Sequence, residues 1–192
     1  MRKAIVVAAI LTWLTGAAFG QGPLKFRSTE WLGLSNGQAG SGFQLQTVNG
    51  VAKGPWFAGV GAGIDYYRFR SVPLFLSVTR DIALGKKDWL FVYVDGGKNV
   101  AWYTPPAVSA DSYLSDVFQG GVYWSGGLGY LWKLGEHSSK AIQFSAGYTM
   151  KRLSEEQSGG CPISAICMPG YASIVTYKYL LQAIHFMAGF RF

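Results

Sequence analysis

Three stretches of the chain alternate cleanly between apolar and small or polar positions with a period of two, the pattern of a strand with two different faces. In Pro55–Tyr67, residues Trp56, Ala58, Val60, Ala62, Ile64 and Tyr66 share one face, and Gly59, Gly61, Gly63 and Asp65 the other. In Gly121–Lys133, Val122, Trp124, Leu128, Tyr130 and Trp132 oppose Tyr123, Ser125, Gly127, Gly129 and Lys133. Next, Ile142, Phe144, Ala146, Tyr148 and Met150 oppose Gln143, Ser145, Gly147, Thr149 and Lys151. Weaker runs of the same kind cover Phe26–Ser35, Ser41–Thr47, Ser71–Leu84, Asp88–Val94 and Tyr177–Phe192, which makes eight strands, an even number that returns both termini to one side.

Glycine, asparagine and lysine mark the turns at Asn36–Gly40, Asn49–Gly54, Gly85–Lys87 and Gly135–Lys140. Two connections read as long loops, Gly96–Gln119 and Arg152–Thr176, both on the side opposite the termini. Short turns on one side and longer loops on the other fit a membrane barrel, although the first two connections on the loop side are short.

Alternation alone does not separate a soluble barrel, apolar inside, from a membrane barrel, apolar outside. The second face decides between them. The runs Phe57–Ile64, Gly120–Trp132 and Ala141–Met150 hold no charged residue, and their second faces are glycine, serine, glutamine and tyrosine. Glycine on an exposed strand face weakens the strand, whereas on the concave inside of a narrow barrel it makes room for larger side chains opposite. Trp56 with Tyr66, and Trp124 with Trp132, fall where interfacial aromatic girdles are expected.

Composition agrees. Of 192 residues, 49% are hydrophobic and only 14% charged, against roughly a quarter in a soluble domain, so little is left to coat a water-facing surface. The 26 glycines are about twice the usual share and follow no collagen or linker repeat. Length and hydrophobicity exclude disorder and give one domain.

The first residues read as an address. Met1, Arg2 and Lys3 precede the apolar run Ala4–Leu14, too short to span a bilayer, and Ala18, Phe19 and Gly20 form a small-residue exit. We therefore expect a cleavable signal peptide over residues 1–20, cut after Gly20 or alternatively after Ala18, and a barrel over 21–192. No cysteine lies near the cut, which argues against an acylated lipoprotein. Loss of Arg2 and Lys3 lowers the net charge from +7 to +5, and the remaining basic residues are scattered, without the stripe or reading motif of a nucleic-acid binder.

The C-terminal IHFMAGFRF places Ile184, Phe186, Ala188, Phe190 and Phe192 on one face and His185, Met187, Gly189 and Arg191 on the other. This resembles the C-terminal assembly signal of bacterial outer-membrane barrels, with Phe186, Phe190 and Phe192 as its residues. Together with the leader and the eight strands, the chain resembles the OmpA/OmpX-type small outer-membrane barrels over Gln21–Phe192. The resemblance implies an all-β, eight-stranded antiparallel up-and-down transmembrane barrel in the bacterial outer membrane. It also implies outer-membrane lipids and the barrel insertion machinery as partners, with no cofactor. A barrel of this size is filled by its own side chains, so a general porin is not expected.

Candidate chemistry is sparse. Cys161 and Cys167, in CPISAIC, are expected to form a local disulfide in an oxidising compartment, worth about 2 to 2.5 kcal/mol in the chain-entropy model; spacing and the lack of a nearby histidine argue against a redox or metal pair. Glu136, His137 and Ser138 superficially resemble part of the His/Ser/Glu site of outer-membrane lipid A deacylases. Three adjacent residues in one turn do not give triad geometry, so they read as a solvated turn and no catalytic residue is assigned. His185 is expected inside the barrel, and Asp65, Asp81, Arg80 and Arg191 are candidates for interior charge networks. Aromatic residues Trp102, Tyr103, Tyr113 and Tyr171 in the two long loops are candidates for binding a surface ligand through residues 96–119 and 152–176. The leading expectation is a membrane barrel with a structural or loop-interaction role. The alternatives are a lipid-modifying enzyme at Glu136, His137 and Ser138, and a soluble exported barrel that binds an apolar ligand.

Overall fold

In the computed structural model, residues 23–102, 114–135, 138–159 and 173–192 are described. The expected leader, Cys161 and Cys167, Glu136 and His137, and Tyr103, Tyr113 and Tyr171 lie outside them. The strands are β1 (Lys25–Gly37), β2 (Gly40–Lys53), β3 (Trp56–Asp65), β4 (Ser71–Ala83), β5 (Asp88–Ala101), β6 (Leu114–Lys133), β7 (Ala141–Gly159) and β8 (Ser173–Arg191). Each pairs antiparallel with its neighbours in sequence, and β8 closes on β1 to make a barrel. The eight-stranded up-and-down fold read from the sequence is the observed one.

The register fixes its dimensions. Pairing from Thr29 leads through Val48, Gly61, Phe75, Gly97, Tyr123 and Lys151 to Leu181, whereas across the closing seam Thr29 pairs with Arg191, an offset of 191 − 181 = 10 residues. With about 3.3 Å per residue and about 4.8 Å between strands, that offset tilts the strands by about 41° and gives about 2.5 Å of axial rise per residue.

Two hairpin turns depend on glycine: Gly54 at φ 59° opens the two-residue connection to β3, and Gly40 at φ 102° starts β2. Inside, glycine makes room for rings. A Cβ on Gly61 would run into the Phe75 ring, and one on Gly129 into the Phe91 ring.

The strands reach further than their apolar alternation. Gly96–Ala101 belong to β5 and residues 114–119 to β6, so both ends of the first expected long loop are strand. Similarly, residues 152–159 extend β7 and 173–176 extend β8. β2 continues to Lys53 through the expected Asn49–Gly54 turn, and β3 stops at Asp65, short of Tyr67. The lengths of β6, β7 and β8, at 20, 19 and 19 residues, raise one wall of the barrel on the side away from the termini. These extensions carry no regular apolar alternation, yet their backbones still pair.

The β6–β7 register shifts by one between Gly120 and Tyr123. This bulge reverses side-chain parity in β6. Below it Tyr123 and Ser125 point inward, and above it Phe118 does, with its ring centroid 5.3 Å from that of Phe69.

Candidate functional site: a lipid-facing belt around a sealed interior

The outward face is apolar from rim to rim except for one polar cluster on β1 and β2. Val60, Leu76, Val94, Leu128 and Phe186 stand near its middle, each more than 60% exposed. Trp56, Trp132 and Phe192 mark its lower edge, towards the termini, and Trp124, Phe43 and Tyr66 its upper edge. Trp56 and Tyr66 are ten positions apart, which at about 2.5 Å per residue gives a band about 25 Å tall, the height of a membrane barrel's apolar band. The C-terminal row behaves as its alternation suggests: Phe186, Phe190 and Phe192 face outward, whereas His185, Met187 and Arg191 are buried inside.

One polar group interrupts the belt. Glu30 faces outward and accepts a hydrogen bond from Thr47 Oγ1 at 2.8 Å, while Ser28 Oγ donates to Asn49 Oδ1 at 2.7 Å. These four side chains are paired across β1 and β2, Glu30 opposite Thr47 and Ser28 opposite Asn49. Their mutual hydrogen bonds lower the cost of placing a carboxyl in the apolar band.

Two charge networks cross the interior. At the lower end Asp81 Oδ2 accepts from Arg27 Nη1 and Arg191 Nη1, each at 2.8 Å, and Oδ1 accepts from Arg191 Nη2 at 3.3 Å. At the upper end Lys151 Nζ donates to Asp65 Oδ2 at 3.0 Å, Ser71 Oγ at 3.1 Å and the Phe69 carbonyl at 3.3 Å. Asp65 Oδ1 accepts in turn from the Tyr67 amide at 2.7 Å.

Of the four charges expected inside, Asp65, Asp81 and Arg191 are there. Arg80 is not: it shares the outward parity of Leu76 and Val78 and lies over the Trp56 ring at 5.2 Å from its centroid, at the lower rim. There a long side chain keeps its guanidinium near water while its stem covers apolar surface. Arg27 was missed. Its neighbours Phe26 and Ser28 gave no alternation to fix its face, and only the pairing with β2 and the seam with β8 does so.

Between the networks the interior is filled. Phe75 and Tyr123 stack at 5.5 Å, Trp31 and Phe91 at 6.0 Å, and Tyr93 Oη meets His185 Nε2 at 2.5 Å. His185 is thus an interior hydrogen-bonding group, as expected. The pocket between these rings, lined by Trp31, Tyr93 and Gln143 among others, measures about 30 Å³, room for roughly one water. Tyr67, 1% exposed, covers the upper end: its hydroxyl donates to the Gln182 carbonyl at 2.9 Å and accepts from the Ala39 amide at 3.0 Å, tying the β1–β2 tip to β8. Above the belt, Tyr179 donates to Glu155 Oε2 at 2.7 Å, and that bond raises the phenol above its ordinary pKa.

Such a wall and interior suit a lipid-embedded, closed cylinder. Among the described residues no three His, Cys, Asp or Glu side chains converge in a way that would hold a metal ion.

No family model matches the chain, and no curated protein matches it in sequence. Among solved structures it is similar to the crystal structure of the outer membrane protein OprG from Pseudomonas aeruginosa, at 13% identity over 88% of this chain and 94% of that one, with a TM-score of 0.48. It is also similar to the solid-state NMR structure of the outer membrane protein AlkL in DMPC lipid bilayers, at 14% identity over 92% of this chain and 93% of that one, with a TM-score of 0.42. At such low identity and superposition, the function of this chain is argued from its own residues.

Proposed function

We propose that this protein is an integral barrel of the bacterial outer membrane that works as a closed anchor. The observation that carries the reading is the belt about 25 Å tall, whose outward side chains are apolar between two aromatic rims apart from the hydrogen-bonded group around Glu30. A soluble exported barrel would need charged outer faces, and its ligand would need an apolar cavity. Here the outer faces are apolar and the interior is polar and filled. The ion pairs at Asp81 and Asp65 close both ends, so the barrel holds position in the membrane without passing solutes along its axis. Its outward-reaching part is the tall wall of β6, β7 and β8, the natural platform for contacts at the cell surface.

In this reading the protein has no catalytic activity. Ser138, the described member of the Glu136–His137–Ser138 group, accepts the Lys140 amide at 3.0 Å within its own turn, the bond of a structural turn residue. The test is fractionation of the native host, with boiled and unboiled samples compared on a gel. The protein should enter the outer-membrane fraction, require detergent for extraction and change mobility on boiling; a soluble periplasmic pool would refute the reading. Lipid A mass spectra that change on deletion of the gene would favour the enzymatic alternative.

A further inference from the structure

The barrel mouth on the side of the termini is built differently from the rest of the interior. It is a recess of about 450 Å³ whose lining includes Lys25, Arg27, Trp89, Lys133, Arg191 and Asp81. Four cations thus surround one carboxylate. Among the lining side chains the positive charges therefore exceed the negative by three.

The donors there are incompletely used. Asp81 engages both arginines through their Nη atoms. The Nε–H of Arg27, the Nε–H of Arg191 and the indole N–H of Trp89 are all buried, with no hydrogen-bond partner among the described residues. Lys133 Nζ lies 4.0 Å from the centroid of the Trp89 ring, which places its ammonium beside that indole. Buried N–H groups are almost always paired in folded proteins. All three unpaired donors belong to side chains that line the recess, close to surplus positive charge, and they call for an acceptor.

We propose that this recess binds a phosphate group. A carboxylate can satisfy two such donors, and Asp81 already does so on the Nη side. A tetrahedral dianion offers several acceptor oxygens to the arginines, the indole and Lys133 together, and its two negative charges offset much of the cationic excess. Charge-assisted bonds from arginine to phosphate are among the strong ones. Two sources present this chemistry to the mouth: a small phosphorylated solute and the headgroup of an anionic phospholipid in the adjacent leaflet.

The experiment uses the folded full-length barrel in nanodiscs, reading the Trp89 indole N–H resonance by NMR, assigned with Trp89→Phe. Sodium phosphate is titrated against sodium chloride at equal ionic strength in phosphatidylcholine discs, and a second arm compares discs with and without phosphatidylglycerol. A saturable shift of Trp89 with phosphate, absent with chloride and absent at the interior Trp31, supports the site and a soluble source. A shift on adding phosphatidylglycerol alone supports the site and a lipid source. Lys133→Gln, which leaves the Asp81 network intact, should weaken binding about tenfold; Lys25→Gln is the second variant should that one fail to fold. A linear response to phosphate, or an equal response to chloride, with no effect of phosphatidylglycerol, overturns the proposal.

Discussion

Lys151 and Asp65, 86 positions apart on β7 and β3, meet at 3.0 Å inside the upper end of the barrel, each with a side chain only 2% exposed. Removing one partner leaves the other charged and buried, at a cost of about 3–5 kcal/mol. Lys151→Met should therefore lower the unfolding free energy of the lipid-embedded barrel, measured by urea denaturation, by that amount, and Lys151→Met combined with Asp65→Leu should recover much of the loss. An additive double variant would show that the pair does not interact as its distance indicates.

At the lower end Asp81 is the one carboxylate that bridges Arg27 and Arg191. Asp81→Asn leaves two guanidiniums facing each other, so the variant should be less stable than the parent, with a deficit that narrows as salt screens the repulsion. Unfolding midpoints at about 0.01 M and 1 M salt measure this. A deficit independent of salt would place the role of Asp81 in shape rather than charge.

Interior glycine sets the bore. Gly61→Val drives a side chain into the Phe75 ring, and overpacking of this kind costs about 1–3 kcal/mol. Adding Phe75→Ala should restore part of that stability, because the space shared by the two positions is then refilled. The check is the refolding yield and the unfolding midpoint of the single and double variants.

Much of this was legible in the sequence and some was not, for physical reasons. The parity of β3, of β7 up to Lys151 and of the end of β8 could be read because lipid outside and packed polar groups inside demand different residues at alternate positions. Beyond the belt that demand ends. Arg152–Gly159 and Ser173–Thr176 therefore look like loop although their backbones pair in register. The bulge between Gly120 and Tyr123 leaves no apolar signature, so the inward turn of Phe118 was hidden. Arg80 continues the outward row of Leu74, Leu76 and Val78, and at the rim, where the guanidinium reaches water, a charge keeps that face. The phosphate-binding candidate was invisible because Lys25, Arg27, Trp89, Lys133 and Arg191 come from four strands that only barrel closure brings together.

Closure of the interior has a direct electrical consequence. Reconstituted into a planar bilayer, the protein should show no stable ion conductance, because the charge networks and Tyr67 fill the bore. Tyr67→Ala should raise the frequency of transient openings without producing a steady pore, since the ring layers below it remain. A steady conductance in the parent protein would contradict the sealed interior.

A charge on the belt separates lipid from water as its surroundings. Leu76 is 65% exposed and sits near mid-height, so Leu76→Arg should destabilise the lipid-embedded barrel by about 2–4 kcal/mol. On a water-facing surface the same substitution would stay within about 0.5 kcal/mol.

The most direct measurement of the belt is a nitroxide scan along β3 in reconstituted bilayers, from position 56 to position 65, reading accessibility to oxygen and to a water-soluble nickel complex. Labels at Ala58, Val60 and Ala62 should be accessible to oxygen and shielded from nickel, alternating with positions 57, 59 and 61, which reach neither. Labels at 58, 60 and 62 that are freely accessible to nickel would put the outer face in water and contradict the membrane barrel.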